Sequence, residues 1–342
     1  MRIAQIAPPW IAVPPEGYGG TEWVVKYLCD GLVAGGHDVH LYATGDSRTA
    51  AQLHSLFPTQ MPTEIGRTPY DARHVAWAMD EIARDGGFDV VHDHSGFLGV
   101  AFGGALRARM AHTVHCAFDA AAFGFYDQFR DAAAYVSISD FQRTLGPSGM
   151  RWAATVYNAL PVDGWPYRDR KDDYLLAFGR VCEDKGFHLA VEVARRTGSR
   201  LLMAGVVQEW NRTYFEQRVA PEIDDQQIVY LGEVSDAEKR DLFAGARAFL
   251  FPILWPEPFG IVMIEAMAAG TPVIALRDGS VPEVVQAGVG GFVCDDVDAM
   301  VAAVGRLHEI DPAACRASVA DRFSVGQMVG DYERLYADLT KA

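Results

Sequence analysis

Two carboxylates stand eight residues apart in the run Leu250-Phe-Pro-Ile-Leu-Trp-Pro-Glu257-Pro-Phe-Gly-Ile-Val-Met-Ile-Glu265. Glu257 is flanked by prolines ahead of a helix and can reach outward from a rigid loop. Glu265 lies on an otherwise apolar helix, where a carboxylate without a partner is costly to bury. Each carboxylate can accept two hydroxyl hydrogen bonds, which suits the vicinal diols of a hexose and a ribose. Between them, Phe259, Gly260, Ile261 and Val262 open the helix, and its free backbone amides make an anion site fit for a phosphate. The plainer alternative for Glu265 is a loop cap or an ion pair with an arginine.

A second pair of groups follows the strand-like run Tyr174-Leu-Leu-Ala-Phe-Gly-Arg180, which leads into Val-Cys-Glu-Asp-Lys185-Gly186. Arg180 as a fork and Lys185 as a point charge can bracket a diphosphate and stabilise a negative leaving group. Taken alone, two such cations are more often solvated surface charges. Near the N-terminus, Gly17-Tyr-Gly19-Gly20-Thr-Glu22 follows a proline-rich loop and opens a helix. Gly19 and Gly20 let the backbone approach a ligand, and the helix amides face an anion. The spacing is not Gly-x-Gly-x-x-Gly, so the dinucleotide fingerprint fails.

Histidines cluster at two expected strand ends, His92-Asp93-His94-Ser95 and Thr113-Val114-His115-Cys116. Alternate residues of a strand face the same way, so Asp93 turns from His92 and His94 and only two nearby ligands converge. That speaks against a metal centre, for which three or more ligands are needed. His115, read by itself, is a hydrogen-bonded interior histidine.

These groups need a scaffold that brings strand ends together. Short apolar runs alternate with longer amphipathic ones along the whole chain, the pattern of repeated β-α units around parallel sheets. Strands are expected at 2–8, 38–44, 88–93, 112–117, 134–139 and 154–158, with helices near 21–35, 72–85, 97–110 and 141–146. The segment Pro161-Val-Asp-Gly-Trp-Pro-Tyr-Arg-Asp-Arg-Lys-Asp-Asp173 interrupts the pattern with turn formers and charges, as a linker does. A second series then places strands at 174–179, 199–205, 227–232, 247–252, 272–276 and 291–294. Its helices are expected near 187–197, 210–220, 235–246, 261–269, 281–287 and 296–308. Segments 46–70 and 117–131 read as irregular loops. The expectation is an N-terminal Rossmann-like domain over 1–165, a second over 170–322, and a C-terminal helix over 323–342 packing back on the first. Two facing sheets of this kind would leave a cleft between the domains.

Bulk properties narrow the function. With 342 residues, the chain exceeds what one core usually fills. A net charge of −15 argues against nucleic acid and anionic membranes as partners. Five cysteines without a Cys-x-x-Cys pair read as reduced thiols of a cytoplasmic protein. No run approaches the roughly 20 apolar residues of a membrane span.

The motif Pro-Glu257-Pro-Phe-Gly-x5-Glu265-Ala-Met-Ala-x-Gly-x-Pro-Val-Ile-Ala, with Gly-Arg180-x4-Lys185-Gly, resembles the signature of retaining glycosyltransferase family 4, and the resemblance extends over nearly the whole chain. It implies the α/β architecture called GT-B, two facing Rossmann-like domains with parallel sheets and an interdomain cleft, the acceptor on the first domain and the nucleotide-sugar donor on the second. It also implies roles. Glu257 contacts the donor sugar, Glu265 the ribose, Arg180 and Lys185 the diphosphate, and the loop of Gly19 and Gly20 the distal phosphate. His115 approaches the hydroxyls of the transferred sugar, and His92 and His94 line the cleft on the acceptor side. The implied activity is transfer of a glycosyl group from a nucleoside-diphosphate sugar, uridine diphosphate being the commonest carrier, to a hydroxyl acceptor with retention of configuration. No metal or other cofactor is expected, because cations and amides neutralise the phosphates.

Two departures qualify the pattern. Asn158-Ala-Leu replaces the family's Asn-Gly-Val, and Gly279-Ser280 replaces a Gly-Gly pair. The Ala- and Arg-rich composition further resembles antibiotic-pathway members of the avilamycin type, which implies an oligosaccharide or natural-product acceptor. Competing readings are a nucleotide-sugar-binding protein without turnover, an epimerase or phosphorylase on the same architecture, and a nicotinamide-dependent oxidoreductase lacking its fingerprint.

Overall fold

The computed structural model describes residues 1–17, 19–103, 106 and 109–341. The chain forms two compact units, one of Met1–Ala159 with Val325–Ala342, the other of Leu160–Ser324.

Among the described residues the first unit holds seven strands: β1 (Arg2–Ile6), β2 (Asp38–Tyr42), β3 (Gln52–His54), β4 (Val90–Asp93), β5 (Arg109–Thr113), β6 (Ala134–Ser137) and β7 (Trp152–Thr155). They make one sheet in the order β3-β2-β1-β4-β5-β6-β7, and every pairing is parallel. Helices α1 (Gly20–Ala34), α2 (Thr68–Asp85), α3 (Phe97–Phe102), α4 (Ala120–Gln128) and α5 (Asp140–Leu145) connect them. Ile3, Ala4, Ile6, Val90 and Val91 are wholly buried, as expected of central strands covered on both faces.

The second unit repeats the layout with β8 (Leu175–Phe178), β9 (Leu201–Ala204), β10 (Ile228–Tyr230), β11 (Ala248–Phe251), β12 (Val273–Leu276) and β13 (Gly291–Cys294). Their order is β10-β9-β8-β11-β12-β13, again parallel throughout. Its helices are α6 (Phe187–Thr197), α7 (Arg212–Tyr214), α8 (Asp236–Gly245), α9 (Ile261–Ala268), α10 (Val281–Val284), α11 (Val297–Gly305) and α12 (Pro312–Arg322). The last helix, α13 (Val325–Lys341), belongs to the first unit and packs on α1, burying Met328, Tyr332, Leu335, Tyr336 and Leu339.

Both sheets are doubly wound Rossmann-like α/β sheets, in which the chain reverses its direction of travel between two neighbouring central strands. Such a switch point leaves a crevice at the strands' carboxyl ends, where ligands bind. It falls between β1 and β4 in the first unit and between β8 and β11 in the second.

Several local expectations are corrected. The helix read over 97–110 stops at Phe102, and β5 already begins at Arg109; residues 104, 105, 107 and 108 lie outside the described residues. The stretch 117–131 is not irregular, since α4 starts there on an Asp119 cap whose carboxylate accepts from the Ala122 amide at 2.8 Å. Its Ala-Ala-Ala-Phe-Gly-Phe core carries no polar stripe to reveal it. Within 46–70, β3 pairs with the edge of β2. The helix read over 210–220 is broken into α7, a π turn at Phe215–Val219 and short 3-10 turns. Helix α12 lies beyond the expected elements, capped by Asp311 and opened by Pro312. No helix among the described residues is long and apolar enough to cross a membrane, and all five cysteines are free.

Candidate functional site

In the second unit the charged residues singled out by spacing gather at the switch point. Arg180 lies two residues past β8, and Lys185 ends a 3-10 turn at Glu183–Lys185. Glu257 sits in the loop that follows β11. The Leu254 amide donates to the Asp184 carbonyl at 2.8 Å and ties that loop to the Lys185 turn.

Lys185 forms an ion pair with Glu257, and the same carboxylate oxygen accepts from the Trp255 indole at 3.0 Å. The Lys185 ammonium also lies 5.1 Å from the Trp255 ring centre and 5.6 Å from that of Phe251. Trp255 thus brackets both charges, a role nothing in its sequence position announced. Arg180 differs, because its buried Nε has no hydrogen-bond partner. An unpaired buried guanidinium nitrogen is costly, so Arg180 is a cation in want of an anion.

The loop reaches α9 through Gly260, whose φ of +74° lies in the left-handed region that only glycine adopts freely. The turn leaves the first amides of α9, Ile261 and Val262, without helical partners, while Met263 already donates to the Gly260 carbonyl at 2.9 Å. Phe259 contributes backbone only: its side chain is buried against Phe323, ring centres 5.6 Å apart, and its carbonyl accepts from the Ser280 hydroxyl at 2.9 Å. The Ser280 amide in turn holds the Glu257 carbonyl at 2.9 Å, so the Gly279-Ser280 loop supports the glutamate's backbone.

Glu265, on α9, is buried and accepts through Oε1 from Lys239 at 2.8 Å. The plainer alternative, an ion pair, is present, but its partner is a lysine on α8 and not an arginine. Burial pulls the Lys239 ammonium down, yet Glu265 and Asp236 outweigh it and hold its pKa above the ordinary lysine value.

The first unit collects a different chemistry at its switch point. Gly19 has φ +151°, and a Cβ there would meet the Glu22 carboxylate at 2.8 Å and Pro15 at 2.9 Å. Gly20 is exposed and begins α1. Glu22 is buried, and desolvation raises its pKa to about 7 against a lowering hydrogen bond from its own amide.

The strand alternation inferred for the histidines holds. Asp93 turns to one face of the sheet, where Oδ2 meets His112 Nδ1 at 2.7 Å, and His112 Nε2 meets the Tyr126 hydroxyl at 2.9 Å. His92 and His94 turn to the other. His92 is wholly buried between the Tyr336 hydroxyl, 2.6 Å from Nδ1, and Thr113 Oγ1, 2.8 Å from Nε2. It is therefore a core residue and lines no cleft.

His94 is buried as well, with Nε2 2.9 Å from Gln5 Oε1 and Nδ1 2.9 Å from His115 Nε2. Both its ring nitrogens are engaged inside the protein, so neither is left for an acceptor. His115 is only partly buried and stands at the end of this chain. Burial holds all three imidazoles neutral, pushing His115 down to about 3 and His92 and His94 well below the ordinary value. Gln5, a lone polar residue in the apolar β1, links the histidines to Tyr336 at 3.1 Å, and nothing in its sequence position announced that role.

Comparison with known proteins follows the same division. Residues 18–155 match the model of Glycosyltransferase Family 4, and residues 167–317 match that of Glycosyl transferases group 1. An uncharacterized 41.2 kDa protein of the Klebsiella pneumoniae cps region is 28% identical over 53% of this chain and 54% of its own length. A glycogen synthase of Mycobacterium tuberculosis is 25% identical over 92% of this chain and 88% of its own. Among solved structures, AviGT4, a glycosyltransferase involved in avilamycin A biosynthesis, superposes with a TM-score of 0.76 at 25% identity, covering 100% of this chain and 98% of that one.

Proposed function

We propose, for a chain that belongs to the group 1 glycosyltransferases and has the GT-B fold, that it moves a glycosyl group from a nucleoside-diphosphate sugar to a hydroxyl with retention of configuration. The observation that carries this reading is the second unit's switch point. There the unpartnered Arg180 Nε, the Lys185–Glu257 pair and the open amides of α9 follow β8 and β11. A diphosphate satisfies the Arg180 nitrogen and draws Lys185 from Glu257, freeing that carboxylate for sugar hydroxyls. Glu265, oriented by Lys239, takes the ribose diol.

In the proposed step the bond from the anomeric carbon to the diphosphate oxygen breaks as the acceptor oxygen bonds to that carbon on the same face. The acceptor proton passes to the departing diphosphate. Arg180, Lys185 and the amides stabilise the charge that develops there. Glu257 positions the sugar and forms no covalent bond, and His115 meets a hydroxyl of the transferred sugar. Three positive or dipolar groups on the diphosphate make a divalent metal unnecessary, so chelation is expected to leave the rate unchanged.

Uridine diphosphate is the proposed carrier, and the likeness to an avilamycin-pathway enzyme supports an oligosaccharide or natural-product acceptor. Five free thiols support a reducing, cytoplasmic setting.

The test is steady release of nucleoside diphosphate from a panel of sugar nucleotides, with the product's anomeric configuration read by NMR. Retention supports the reading and inversion ends it. Tight donor binding without any release would instead identify a sensor. A glycosyl group found on Glu257, or trapped in a Glu257→Gln variant, would replace same-face attack by a double displacement.

A further inference from the structure

The hydrogen-bond chain from α13 to His115 has a direction. Gln5, on β1 and wholly buried, donates through Nε2 to the Tyr336 hydroxyl at 3.1 Å and accepts through Oε1 from His94 Nε2 at 2.9 Å. Tyr336, having accepted from Gln5, donates to His92 Nδ1 at 2.6 Å, and His92 donates from Nε2 to Thr113 Oγ1 at 2.8 Å. On the other branch His94, protonated on Nε2 toward Gln5, has only a lone pair on Nδ1. His115 must then donate to it from Nε2. Each imidazole carries one proton, so His115 is left with a bare Nδ1, for which the described residues supply no partner. Reversing the Gln5 amide reverses every donor along both branches, so this one side chain decides which form His115 takes.

We infer that Gln5 is a positioning residue that fixes His115 as the Nε2-protonated tautomer, with Nδ1 presented as a hydrogen-bond acceptor. Resting on the reading that His115 meets the transferred sugar, this makes the position selective for a hydroxyl that donates. A deoxy or fluoro sugar has no proton to give and loses that bond. The Tyr336 link places the amide under the control of the last helix, since Tyr336 is wholly buried on α13. Burial that keeps the three imidazoles uncharged is what allows a tautomer, rather than an imidazolium, to be specified.

The first test needs no variant. In histidine-labelled wild-type protein at pH 7.5, the 15N shifts of His115 should report a protonated Nε2 and a bare Nδ1. A protonated Nδ1 overturns the inference. Gln5→Leu, which removes both bonds, should let His115 sample both tautomers, whereas Gln5→Glu keeps an acceptor toward His94 and should restore the Nε2 form. An unchanged tautomer in Gln5→Leu also overturns it.

With the intact sugar nucleotide, Gln5→Leu should lose about tenfold in kcat/KM, the worth of one good hydrogen bond. Binding of the nucleoside diphosphate alone should stay unchanged. A purely structural defect would weaken both. If His115→Ala leaves the donor's KM and kcat untouched while the tautomer stands as stated, the sugar-contact reading fails and the role of Gln5 does not.

Discussion

The two switch points hold their polar groups by opposite means. In the second unit the groups are charged: Lys185 against Glu257, Lys239 against Glu265, and Arg180 with a buried nitrogen unanswered. In the first, the face of the sheet that carries Gln5, His92 and His94 holds a neutral relay of amide, phenol, hydroxyl and imidazole in which every bond has a set direction. Ion pairs are weakly directional and can be exchanged for a phosphate of the same charge as the carboxylate displaced. A neutral buried relay resists exchange, because each broken bond strands a desolvated donor or acceptor. The charged end is suited to receiving an anion and the neutral end to holding one atom in one state.

The comparison breaks most visibly at Arg180. Arg180→Ala should reduce kcat/KM for the sugar nucleotide by about 10²–10³-fold, and Arg180→Lys should recover only part, since a point charge cannot reproduce the fork. Steady-state kinetics with the best donor decides this. Near wild-type activity in Arg180→Ala would show that the unanswered nitrogen serves no anion.

Acidity separates the two ends next. His74, buried on α2 and hydrogen-bonded to the Ala7 carbonyl at 3.0 Å, is held down to about 4 by desolvation, and His92 and His94 lie well below the ordinary value. Their folded-state pKa values are depressed, so the unfolded chain takes up protons first. Their contribution to stability is full above about 6.5 and falls as pH drops toward 4, by about 1.4 kcal/mol per pH unit for each histidine. Glu22 and Asp71, raised by burial to about 7 and about 6, tilt the same window the other way. The clean readout is therefore a difference: His74→Gln should show a slope shallower by one proton than wild type in urea melts between pH 6.5 and 5.

Removing a single neutral link is the milder break. Tyr336→Phe strands the Gln5 amide and His92 Nδ1 and should cost about 1–2 kcal/mol in urea unfolding, with nucleoside-diphosphate binding intact. The smallest effect is that of salt. Raising ionic strength from 50 to 300 mM should weaken nucleoside-diphosphate binding severalfold through screening, yet leave the stability penalty of Tyr336→Phe unchanged, because neutral buried bonds are not screened. Calorimetric titration at the two ionic strengths checks it.

Much of the architecture was legible because it rests on local rules. Short apolar runs bounded by turn formers and charges, such as Leu175–Phe178 and Val273–Leu276, read as strands covered on both faces, and amphipathic segments such as Phe187–Thr197 read as helices lying against them. Where periodicity is absent, the reading failed. The alanine-rich α4 shows no polar stripe, and the three-residue β3 is held by its neighbour rather than by its composition.

The sequence by itself determined the two α/β series, the loops at the strand ends, and the carboxylates, cations and glycines on those loops, since residue type and spacing along the chain are local properties. Only the tertiary structure decided who answers whom. Lys239 reaches Glu265 across 26 residues, Lys185 reaches Glu257 across 72, and Tyr336 reaches Gln5 across 331. Such partners are chosen by sheet order and helix packing, which no single segment encodes. For that reason Gln5, one polar letter in a first strand, became readable only once the last helix was laid against it.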